Sequence, residues 1–151
     1  MHDHSQHVSL NRLALSATLH CLTGCGIGEV LGLVIGSALG WGTVATIILA
    51  VVLAFIFGYA MTLRPLLRSG MSAGQAMRIA LAADTVSITI MEIIDNSVML
   101  VIPGAMDSGL TNWLFWVSMI AALAIAAVVV FPVNRWMIAR GRGHAVVPGH
   151  H

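Results

Sequence analysis

Lysine is missing from this chain, and charge of either sign is scarce: seven arginines and six acids make up 9% of 151 residues. A soluble globular domain carries about 25% charged residues, so that class is excluded. The sequence also lacks the GxxxxGK[ST] loop that cradles nucleotide phosphates, so ATP-driven pumping by this chain alone is not expected. Cysteine occurs only as Cys21 and Cys25, both inside one apolar run, so the disulfide framework of small secreted domains does not apply. No nucleic-acid partner is expected.

What the chain has instead is 58% hydrophobic residues. That is the composition of an integral membrane protein whose first partner is the lipid bilayer. A bilayer core of about 30 Å takes about 20 apolar residues per helix. Four segments meet that length, at about 13–39, 43–63, 76–103 and 113–134. The expected fold is all-α, a polytopic domain of four transmembrane helices over residues 12–140. A polar, His-rich tail (1–11) precedes it and a second tail (141–151) follows. The tails carry His2, His4, His7, His144, His150 and His151, which can collect metal loosely. Met1–Gln6 lacks the basic start of a signal peptide and reads as a retained segment.

The cations are Arg12, Arg64, Arg68, Arg78, Arg135, Arg140 and Arg142. They fall before span one, between spans two and three, and after span four. The two opposite loops have none. The positive-inside rule therefore places both termini in the cytoplasm, in a multi-pass protein of the cytoplasmic (inner) membrane.

Span one carries glycine at every fourth position: Gly24, Gly28, Gly32, Gly36 and Gly40. Small residues in such a row let another helix approach closely, so the Gly24/Gly28/Gly32/Gly36 face is expected to join copies of the chain into a homo-oligomer. Beside the row lie His20, Cys21, Cys25 and Glu29. Span three carries a second polar stripe: Met77, Ala80, Asp84, Ser87, Met91, Asp95 and Met99 lie within about 60° either side of Asp84, with Glu92 at its margin. Spans two and four are plain and read as shell helices. Pro65 and Gly70 mark a break after span two, and Ser72 is placed to cap the next helix.

Four of the six acids, Glu29, Asp84, Glu92 and Asp95, lie within the expected spans, and no span interior holds a cation to pair with them. A charged carboxylate at mid-membrane costs about 2.5–3.5 kcal/mol on insertion scales. Such acids are either protonated or share a bound cation. By depth, His20 and Cys21 lie level with Asp84, Cys25 with Ser87–Met91, and Glu29 with Glu92 and Asp95. If the stripes meet, the donors form a ladder suited to a metal ion or proton. Cys21 and Cys25, four apart, share one helix face and can grip one ion, as two histidines do in a zinc HExxH helix. That spacing is poor for a disulfide, because both Cβ vectors point along the same face.

The run His20-Cys21-Leu22-Thr23-Gly24-Cys25-Gly26-Ile27-Gly28-Glu29, and later Met91-Glu92-Ile93-Ile94-Asp95-Asn96, resembles an uncharacterised family of small four-span membrane proteins grouped as a domain of unknown function. The likeness runs from about Leu15 to Trp136. It implies a four-helix membrane fold and supplies no activity.

The residues themselves suggest a non-enzymatic membrane protein that binds and transports a transition-metal cation, copper or zinc. The expected ligands are His20, Cys21, Cys25, Glu29, Asp84, Met91, Glu92 and Asp95, with protons exchanged for metal at the carboxyl groups. Thiolate and imidazole suit copper(I) or zinc, and thioether adds to copper. Two other classes stay open. One is a redox or haem-linked component using Cys21 and Cys25 or His20. The other is a non-transporting assembly subunit packed through its glycine row.

Overall fold

The computed structural model describes residues 2–105 and 108–140, with side chains from residue 10 onward. The described residues form four helices and no strand: α1 (His2–Ala38), α2 (Thr43–Arg68), α3 (Ala73–Val101) and α4 (Trp113–Ala139). Three stretches are long and apolar enough to cross a membrane: Leu10–Ala38 within α1, Thr43–Arg68 and Trp113–Ala139. The third helix, at 29 residues, is long enough as well, but its arginine and acids keep it out of that set.

Short connections force neighbouring helices to run antiparallel. Gly40 (φ 68°) and Gly70 (φ 90°) take the left-handed conformation just past α1 and α2, where a side chain would be strained. Ser72 starts α3 by accepting from the Gln75 N–H (3.4 Å), and Asn112 starts α4 by accepting from Leu114 (3.0 Å). Each helix packs on the next and α4 closes back on α1. Across the middle, α1 and α3 touch while α2 and α4 do not. The two striped helices therefore form the short diagonal of the bundle.

The tightest contact is α1 against α2. A Cβ added at Gly28 would lie 2.3 Å from the Ala54 nitrogen, one at Gly32 2.5 Å from Ala50 Cα, and one at Gly24 2.8 Å from Gly58 Cα. The glycine row thus meets a second row of small residues, Thr46, Ala50, Ala54, Gly58 and Thr62, all buried on α2. Two sequence expectations change here. The face expected to meet another copy is filled within the chain by α2. Span two is not plain, because it carries the small-residue row that makes the fit, hidden in the sequence among Ile, Leu and Val.

Two boundaries also differ. Residues 2–11, read as a tail, continue α1; no glycine or proline interrupts them, and a polar helix can extend beyond the apolar span. Pro65 lies inside α2 rather than ending it. In the last turn its ring removes only the N–H that would bond Met61, and the chain goes on to Arg68. The two tails' histidines and the segment 141–151 fall outside the described side chains.

Candidate cation site

The diagonal contact between α1 and α3 builds the site. The four acids of the expected spans are buried: Asp95 is 0% exposed, and Glu29, Asp84 and Glu92 are 5%. Cys25 is 0% and Cys21 5% exposed. Both cysteines are free. No arginine reaches an acid to form an ion pair among the described residues.

Three levels run along this contact. At the first, the Cys21 thiol points to the Met91 thioether, with Sγ and Sδ 3.7 Å apart, and Cys25 lies beside Cys21. At the second, Cys25 lies against the Glu92 carboxyl. Glu92 also accepts from the Asn96 amide at 3.2 Å. At the third, the Glu29 and Asp95 carboxyl groups face each other. Neither oxygen of Asp95 receives a hydrogen bond from another side chain or the backbone. Burying an unbonded carboxylate is costly, so this pair needs a proton or a cation between its oxygens.

Asp84 stands apart. It takes a hydrogen bond from Thr62 of α2 and lies within electrostatic reach of His20. His20 itself donates from Nδ1 to the Ser16 carbonyl (2.7 Å), because a carbonyl only accepts, which leaves Nε2 available. By depth, Cys21 was expected level with Asp84. The structure instead sets Cys21 against Met91, further along α3, and turns Asp84 toward α2. Helices counted as aligned rods hide this axial offset.

Among the described residues, no group of three or more His, Cys, Asp or Glu side chains is arranged to hold one metal ion. The eight residues singled out from the sequence are distributed along the bundle, mostly as pairs. What does gather is sulfur: Cys21, Cys25 and Met91 belong to one buried cluster with Ile88, Ala54, Ala126 and Val130.

Two features of this region were not legible in the sequence. A buried relay ties three helices together: Ser87 of α3 donates to the Asn134 carbonyl oxygen, and the Asn134 amide donates to the Thr18 hydroxyl at 3.0 Å. Thr18 completes it by donating to the Ala14 carbonyl at 2.8 Å. Asn134 and Ser118 are the polar side chains that α4 buries, and polarity within an apolar span was the only signal for Asn134. Thr62, the partner of Asp84, was hidden in the small-residue row of α2.

The profile of one protein family matches this chain from residue 11 to residue 143, and so takes in most of the four helices and the whole site. The chain belongs to the DUF4396 family. That family is described as a domain of unknown function. Among curated proteins and solved structures, none matches the chain. The DUF4396 match therefore fixes the family and leaves the chemistry to be argued from the residues.

Proposed function

We propose that this DUF4396 protein carries a soft transition-metal cation, copper(I), across the cytoplasmic membrane, with all four helices crossing and both termini inside. The observation that carries this reading is the cluster of Cys21, Cys25 and Met91 beside a file of buried carboxyl groups with no arginine among them. Three sulfurs suit copper(I) better than zinc. Zinc takes four nitrogen, sulfur or oxygen ligands in a tetrahedron, whereas soft thiolate and thioether select copper(I). Between the two metals left open by the sequence, the clustering of sulfur favours copper.

Thiols must lose their protons to bind metal. Two Cys–S–H bonds break, two metal–thiolate bonds form, and two protons leave. Glu92 beside Cys25, and the Glu29–Asp95 pair one turn further, can accept them. Proton release and uptake would thus be coupled to metal movement without ATP. Crossing by α3 fits its side chains, because Glu92 and Asp95 turn to α1, Asp84 turns to Thr62 of α2, and its exposed face carries Leu81, Val86, Ile93 and Leu100. A dithiol redox role is less favoured, since two cysteines on one helix face cannot close a disulfide without moving the backbone. An oligomer would have to use outer faces other than the glycine row.

The test is elemental analysis of protein purified in mild detergent and loaded with copper(I) under reductant, comparing wild type, Cys21→Ala/Cys25→Ala and Met91→Leu. Near-stoichiometric copper that is lost in the double variant and weakened in Met91→Leu supports the site. Equal copper in all three rules it out.

A further inference from the structure

At the arginine-bearing end of the bundle, one turn beyond the Gly24–Gly58 contact, a cavity of about 370 Å³ is lined by His20 of α1 and by Met61, Arg64, Pro65 and Arg68 of α2. This volume falls at the low end of small-molecule pockets. Its chemistry is one-sided. Two exposed arginines four residues apart on α2 line it together with a histidine of α1, and no acid does. Neither Arg64 nor Arg68 has a hydrogen-bond or ion-pair partner among the described residues. Of the other described arginines, Arg135 is occupied by Asn11 (2.8 Å), and Arg140 lies over the Trp136 ring at 5.2 Å.

We propose that this cavity is a binding site for a phosphate group. A guanidinium presents two parallel donors that match two phosphate oxygens, so a pair of them can hold a single phosphate from two sides. The i, i+4 spacing of Arg64 and Arg68 puts both on one face of α2. His20, held by its bond to the Ser16 carbonyl, lines the same cavity from α1. The phosphate is supplied either by the headgroup of an anionic lipid, since basic pockets between membrane helices bind such headgroups, or by free phosphate in solution. Filling the site cancels positive charge on the His20 side of Asp84. Easier cation entry there would follow only under the transport reading; the binding itself does not depend on it.

The experiment uses the full chain in detergent, titrated separately with inorganic phosphate and with mixed micelles of phosphatidylglycerol or phosphatidylcholine. Binding is read by native mass spectrometry and by the shift in thermal unfolding. Wild type should prefer phosphatidylglycerol to phosphatidylcholine, or bind inorganic phosphate saturably, and the two arms separate lipid from solute. Arg64→Ala and Arg68→Ala should each weaken binding about tenfold or more, the value of one charge-assisted hydrogen bond. Arg78→Ala and Arg140→Ala, at the same end, should leave it within about twofold. Arg64→Lys/Arg68→Lys keeps both charges, loses the planar fork and should bind more weakly than wild type. Equal loss in the Arg78 and Arg140 variants, full binding by the lysine pair, or no preference for either phosphate source would overturn the proposal. Because the copper measurement uses different residues, failure of either proposal leaves the other standing.

Discussion

Gly28→Ala adds one methyl group at the closest point between α1 and α2. The new Cβ would sit 2.3 Å from the Ala54 nitrogen, 2.5 Å from its Cα and 2.7 Å from the Leu53 carbonyl carbon. All three are backbone atoms, so no side chain can swing away. Ordinary contact begins at 3.4 Å, and the helices must separate locally by about 1 Å to reach it. Overpacking of this kind costs about 1–3 kcal/mol, set against the roughly 0.5–1 kcal/mol that alanine gains over glycine within a helix. The net loss should be about 1–2 kcal/mol, or a fall of several degrees in unfolding temperature for a chain of this length. Gly26→Ala is the internal control. Its Cβ would meet only Leu123 Cδ1, at 3.7 Å, so it keeps the helix gain and should be neutral or slightly stabilising. Thermal unfolding in one detergent, followed by tryptophan fluorescence, compares the pair. If Gly28→Ala unfolds at or above the temperature of Gly26→Ala, the glycine row is not what seats α1 on α2.

Three further outcomes follow from the site. Asp95→Asn replaces a fully buried carboxyl that receives no hydrogen bond with an amide that can donate to Glu29; it should hold or raise stability by about 1 kcal/mol while copper-dependent proton release falls, and a fall in unfolding temperature would count against the Glu29–Asp95 pairing. Asn134→Ala cuts the relay between Ser87 and Thr18, but Thr18 keeps the Ala14 carbonyl, so the cost should be only about 1–2 kcal/mol. A double-mutant cycle with Ser87→Ala should show coupling between the two sites; strict additivity would exclude the relay. Cys21 and Cys25, at 5% and 0% exposure, should resist a water-soluble maleimide in the folded protein and react after denaturation. Rapid labelling of folded, metal-free protein, read by mass spectrometry, would contradict their burial.

Composition alone determined that this is an all-helical chain suited to a membrane, because 58% hydrophobic residues arranged in long runs leave few other folds. Helical periodicity determined which residues share a face: a repeat of 3.6 residues per turn is enough to group Cys21, Cys25 and Glu29 on one helix and Asp84, Met91 and Asp95 on another. Ser72 could be placed as a cap from its position ahead of the third run. What the sequence could not decide is which face meets which. A row of glycines is equally able to seat a neighbour in the same chain or in another copy, and only the packing shows that α2 fills it with Ala50, Ala54 and Gly58. Axial offset was equally hidden. It depends on how the small-residue rows of α1 and α2 interlock and on how α3 settles across them, and it sets Cys21 against Met91 and leaves Asp84 to Thr62. For the arginines, clustering at one end was written in the sequence, but the cavity that joins His20 of α1 to Arg64 and Arg68 of α2 is made only by the packing of the two helices.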